Sequence, residues 1–161
     1  MSEFMASAGP RTGPFEGKVA LVTGGSTGIG RAVTARLAAA GVAVAFCGIE
    51  ESTVQTAEAE LRDAGARVTG SVTDVTDGAA VRDLAERTAA RYGGLDVVVT
   101  CAGIQRYGTV EETSAELWDE VLDVNVKGVF LTCKAAIPHL RARGGGAIVT
   151  VSSVQALASQ Q

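Results

Sequence analysis

Histidine occurs once in this 161-residue chain, as His139. A His-rich metal site is therefore out of reach, as is a Ser nucleophile served by His and an acid, and no metal-ligand set stands out. His139 reads instead as a cap near the end of a long helix. Cysteine is sparse as well. Cys47, Cys101 and Cys133 form no Cys-x-x-Cys pair and lie in apolar surroundings, which suits reduced thiols in a cytoplasmic protein. Lys and Arg number 14 against 18 Asp and Glu, with a net charge of −4. There is no basic cluster, which argues against a nucleic-acid partner. No apolar run approaches the ~20 residues that span a bilayer, so no membrane partner is expected. The N-terminus lacks the apolar core of a signal peptide. Proline is rare, and Pro10 and Pro14 both fall in the first 17 residues. Residues 1–17 read as a flexible leader, and residues 18–161 as the folded domain.

Glycine is plentiful, with 20 residues, and 47% of the chain is hydrophobic, enough for one domain with a real core. The stretch from Lys18 to Gly48 organises the rest. Lys18–Thr23 is a β-branched apolar run of strand length. The turn Gly24-Gly25-Ser26-Thr27-Gly28-Ile29-Gly30 follows directly. Ile29, Val33 and Leu37 then recur every four residues, predicting a helix with one buried stripe, closed by Gly41. Val42–Gly48 reads as a second strand. Strand, glycine turn, helix, strand is a βαβ crossover. Free N–H groups and the positive dipole at the helix start favour a phosphate, so the turn reads as a pyrophosphate seat. A tight turn with no ligand stays open on this stretch alone.

The alternation continues. Helices are predicted over Glu51–Ala64 and Gly78–Tyr92, and strands over Ala66–Val72 and Leu95–Thr100. A long helix, capped by Ser114, is expected to run to about Arg143, followed by a strand over Ala147–Val151. Trp118, Leu122, Val129 and Ala136 should form its apolar stripe, which Asn125 interrupts. Such a pattern demands a three-layer, doubly wound α/β fold of the Rossmann type: five parallel strands, in the order 3-2-1-4-5. The glycine turn, Asp74, Cys101-Ala102-Gly103 and Ser153 each follow a strand. All therefore converge on the carboxyl rim of the sheet, where open α/β sheets bind ligands.

The set Thr23-Gly24-x-x-x-Gly28-Ile29-Gly30, Asp74-Val75, Cys101-Ala102-Gly103, Asn125 and Ser153 resembles the classical short-chain dehydrogenase/reductase family over Lys18 to about Leu157. The resemblance implies an NAD(P)-dependent oxidoreductase that moves hydride between a nicotinamide and a carbonyl/alcohol pair, of sugar/polyol or 3-ketoacyl type. It implies that Gly24, Ser26, Thr27, Gly28, Ile29 and Gly30 hold the pyrophosphate. Asp74, with the Val75 backbone beside it, would meet the adenine amino group. Cys101, Ala102 and Gly103 would pass beneath the cofactor. Asn125 would shape its helix and hold a water in the proton relay, and Ser153 would orient the substrate oxygen. From the residues alone, Asp74 could equally cap a turn or helix, Asn125 could be a satisfied core amide, and Ser153 a polar turn. The same resemblance implies a homo-oligomer in the full-length form.

Two departures bear on function. The family usually has Asn where Cys101 stands, and a thiol lacks the amide's donor and acceptor set. Moreover, the family's Tyr-x-x-x-Lys motif is not in this sequence; neither Tyr92 nor Tyr107 has a Lys four residues on. The chain is therefore expected to be inactive alone, ending before that motif and before the family's last strands and helices. A non-catalytic dinucleotide-binding or interaction module is the alternative. The second strand ends in neither an acid nor an Arg; Glu50 and Glu51 come slightly late and read as helix-start charges, so both NAD and NADP stay open.

Overall fold

A computed structural model describes residues 13–154. Most of the 1–17 leader lies outside the described residues; Gly13 to Lys18 form a turn closed by Glu16 N–H to Gly13 O at 3.0 Å. Five strands follow: β1 (Val19–Thr23), β2 (Ala43–Gly48), β3 (Val68–Val72), β4 (Val97–Thr100) and β5 (Ala147–Thr150). They form one sheet in the order β3-β2-β1-β4-β5, every pairing parallel. This is the Rossmann-type order that the sequence predicts.

Successive residues of a strand face opposite sides. In β1, Val19 and Leu21 join one core with Leu84 and Ala85 of α3 (Gly78–Tyr92) and Ala136 and Leu140 of α5 (Gly128–Ala142). Ala20 and Val22 join the other, with Phe46 and with Val54, Ala57 and Leu61 of α2 (Glu51–Asp63), next to α1 (Gly28–Ala39). Burial on both faces explains why β1 is apolar at every position but its last. The amino edge is tied by Asp96, just before β4. Its buried carboxylate accepts from Val19 N at 3.0 Å, Lys18 Nζ at 3.1 Å and Arg143 Nη2 at 3.2 Å.

Three sequence expectations need correction. Ile29 is 65% exposed and joins no buried stripe; the buried positions of α1 are Gly30 and Thr34, and Val33 and Leu37 pack on the core only partly buried. The close approach of Gly30 to the turn sets that rotation. Next, the expected single helix is interrupted. α4 (Ala115–Leu122) passes through a π-helical turn, Asp123–Lys127, into α5. The extra residue rotates the two halves, so Trp118 and Leu122 point outward at 60% and 39% exposure, while Gly128, Thr132, Ala136 and Leu140 face the core. Finally, β3 starts at Val68, because the Ala66 N–H still closes the preceding helix on Leu61 O at 3.0 Å. Among the described residues no helix is long and apolar enough to cross a membrane.

Candidate functional site

A cleft of about 600 Å³ runs along the carboxyl rim. It is lined by the glycine turn and by the segments that follow β2, β3 and β4. Parts of the turn are held by contacts that leave no room for a side chain. A Cβ on Gly30 would stand 2.1 Å from Gly24 O and 3.1 Å from Cys101 Cβ. Gly30 is thus required by the turn itself. Gly28 differs: its φ is +54°, and nothing lies within 4 Å of where its Cβ would be. It keeps the backbone in a left-handed bend beside open space.

The rim gathers the predicted residues. Gly24, Ser26, Thr27, Gly28, Ile29 and Gly30 line the cleft with Asp74, Val75, Cys101, Ala102 and Gly103. Asp74 is exposed, and its Oδ1 accepts from both the amide and hydroxyl of Thr76 at 2.8 Å. This is the turn-capping role; the cap of α3 falls to Asp77, which accepts from Ala79 N and Ala80 N. The other oxygen, Oδ2, has no hydrogen bond among the described residues, so a donor entering the cleft can reach it. Val75 is buried and packs on Gly128, where a Cβ would stand 2.8 Å from Val75 Cγ2.

Asn125 sits in the π-helical turn, half-buried rather than deep in an apolar stripe. Its Nδ2 donates to Ile104 O at 2.9 Å, and its Oδ1 accepts from Ile104 N at 2.8 Å. This reciprocal pair fixes the loop after Gly103. Ser153 lies exposed past β5; Val151, two residues earlier, lines the cleft. Cys101 is anchored through its backbone, donating to Thr23 O at 3.1 Å, and Ala102 N donates to Thr23 Oγ1 at 3.4 Å. The strand end is therefore held without the amide side chain the family usually has. Burial raises the Cys101 thiol, and burial pushes Cys47 up to about 12 against a weaker opposing hydrogen bond from the Gly24 backbone. Both thiols stay protonated and non-nucleophilic near neutral pH.

Some cleft residues escape sequence reasoning, and another, Glu50, is one that the sequence reads as a helix-start charge. Glu50 lines the cleft just past β2. Arg106 and Glu120 line its far end and pair at 2.6 Å across 14 residues. Periodicity carries no signal for such loop-to-helix pairs; only the fold brings them together. Among the described residues, no group of three or more His, Cys, Asp or Glu could hold a metal ion.

The profile of the family described as short chain dehydrogenase matches residues 18–161. Dehydrogenase/reductase SDR family member 4 of Bos taurus is 39% identical over 154 residues, covering 94% of this chain and 55% of that protein. D-threitol dehydrogenase of Mycolicibacterium smegmatis is 39% identical over 140 residues, covering 86% and 54%. The crystal structure of a short chain dehydrogenase from Burkholderia cenocepacia J2315 in complex with NADP superposes with a TM-score of 0.85 at 38% identity, covering 91% of this chain and 60% of that one. The chain spans about half the length of the curated relatives it matches.

Proposed function

The chain belongs to the short-chain dehydrogenase family, and on that premise we propose that its rim cleft seats a nicotinamide dinucleotide for hydride exchange with a carbonyl/alcohol substrate. The observation that carries this reading is the convergence of three separated segments, 24–30, 74–75 and 101–103, on one cleft. The residues fit the group. The open space at Gly28 and the amide-rich start of α1 suit a pyrophosphate, and the uncommitted Asp74 Oδ2 suits an adenine amino group. When bound, the cofactor supplies or takes up the hydride. Cys101, Ala102 and Gly103 present small residues and backbone beneath it. Asn125, by pinning Ile104, holds the loop that leads to the substrate end of the cleft. Ser153 orients the substrate oxygen by hydrogen bonding. The substrate is of sugar/polyol or 3-ketoacyl type.

Titration calorimetry with NAD tests the reading. Asp74→Ala should weaken binding by ~10-fold, the value of a hydrogen bond to a charged group. Unchanged affinity would remove Asp74 from the site. The cofactor preference is argued from Glu50. Glu50 lines the cleft two residues past β2, its Oε1 accepting from Ser52 Oγ at 2.9 Å, and an acid so placed would serve ribose hydroxyls and repel an added phosphate. NAD should therefore bind ~10-fold tighter than NADP, and Glu50→Ser should erase most of the difference. Equal affinities in the unsubstituted chain would contradict this.

Residues 1–161 alone should bind cofactor without useful turnover. This sequence has no Tyr-x-x-x-Lys, and a general acid/base typically contributes ~10²–10⁴-fold. Self-association is the expected partner interaction. Trp118, Leu122, Val126 and Phe130 are 60%, 39%, 60% and 58% exposed, spaced four residues apart along α4, the π-helical turn and α5. Along the same segment Glu116, Asp119 and Glu120 lie toward its start and Lys127 and Lys134 toward its end, with Glu120 paired to Arg106 and Lys127 to Asp123. A second copy packed antiparallel about a two-fold axis would cover the apolar stripe and set unlike charges opposite each other.

A further inference from the structure

The amino end of the β3 edge carries a cluster of arginines that the rim cleft does not use. Two adjoining clefts, of about 490 and 590 Å³, share Arg91 and Tyr92 and share no lining residue with the rim cleft. The half-buried Tyr92 ring is the floor. Arg67 Cζ lies 5.8 Å from its centroid and Arg91 Cζ lies 5.6 Å from it. The Tyr92 hydroxyl is fixed by Thr69 Oγ1 at 2.7 Å. Arg62 closes one side, held by Glu58 at 2.7 Å and by Val68 O at 3.3 Å. Arg87 and the Thr69, Ser71 and Thr88 side chains line the other, with Arg87 paired to Asp83 at 2.8 Å.

Stacking on a tyrosine accounts for where the Arg67 and Arg91 planes lie. Position in the last turn of a helix also suits Arg62 and Arg91. Neither accounts for the charge balance. The chain is net negative, yet two guanidinium groups share one ring and neither forms an ion pair among the described residues. Like charges lining one cleft cost free energy until an anion lies between them. Planar guanidinium forks match the oxygens of phosphate, and Arg62, Arg67 and Arg91 all line the cleft of about 590 Å³.

The geometry points to a phosphoryl-binding site at this edge, with Arg67 and Arg91 as its charged donors over the Tyr92 floor, separate from the rim cleft. The ligand is a phosphoryl dianion, either free phosphate or the phosphomonoester of a small polyol. The site stands independently of the reading given to the rim.

Calorimetry on the full chain, saturated with NAD to occupy the rim, tests it with inorganic phosphate and with glycerol 3-phosphate. Arg67→Gln and Arg91→Gln should each weaken binding by ~10-fold or more, and Arg91→Lys, which keeps charge but loses the fork, by less. Arg82→Gln, on an exposed part of α3, should leave it unchanged. Tighter binding of the ester would identify a small phosphorylated metabolite, and equal binding free phosphate. Far-UV circular dichroism confirms that each variant is folded. Equal affinity in folded Arg67→Gln, Arg91→Gln and unsubstituted protein would overturn the site. So would no phosphate binding at all, or binding of an acidic peptide or oligonucleotide alone.

Discussion

At the scale of single residues, Gly28 and Gly30 separate two roles that a glycine pattern merges. Gly30→Ala places a methyl against the Gly24 carbonyl, so it should destabilise the fold by ~2–3 kcal/mol, read as a lowered midpoint in urea. Gly28→Ala meets no neighbour and pays only for its left-handed backbone, ~1 kcal/mol, while intruding on the cleft. It should therefore lose NAD affinity with modest loss of stability. Equal denaturation losses in the two variants would contradict this division. Asp96 supplies a pH prediction. Burial pushes its carboxyl up, but the Val19 amide, Lys18 and Arg143 outweigh that and hold it below the ordinary carboxylate value. A depressed folded value stabilises the fold above the unfolded pKa of ~3.9 and loses that stabilisation as pH falls through the folded value. Asp96→Asn should cost ~2 kcal/mol at pH 7 and flatten the acid limb of the stability profile. A parallel downward shift at all pH values would refute the ionic account.

At the scale of elements, β1, β2, β4 and β5 were legible because each is a short, mostly apolar run between helical periods; β3, Val-Thr-Gly-Ser-Val, was legible by its place after the helix that Gly65 closes. The helix from 115 to 142 was legible as a helix, but not in its rotation. Its π-helical turn accompanies the Asn125–Ile104 pair, a contact across 21 residues, and no local periodicity encodes a contact at that separation. The same blindness hid Arg106–Glu120. Conversely, the turn, Asp74 and Gly103 were legible because each follows its strand directly, and topology alone brings strand ends to one rim. The outward stripe on α4 and α5 carries its own prediction. Phe130→Glu should shift the chain to smaller species in light scattering and leave NAD affinity unchanged, because Phe130 does not line the rim cleft. An unchanged mass would exclude this stripe as the contact between copies.

At the scale of the whole molecule, the parallel sheet does one thing for function: it delivers three distant segments to the same edge. The glycine turn, the Asp74 turn and the Cys101–Gly103 segment come from β1, β3 and β4, and the two cores beneath them fix their spacing. The central claim is that these three segments act together on one dinucleotide. Hydrogen–deuterium exchange with and without saturating NAD tests it most directly, in any oligomeric form. Slowed exchange is predicted jointly in peptides covering 24–30, 73–76 and 101–104, with the Arg67–Tyr92 edge unchanged. Protection confined to one segment, or located away from the rim, would contradict the account.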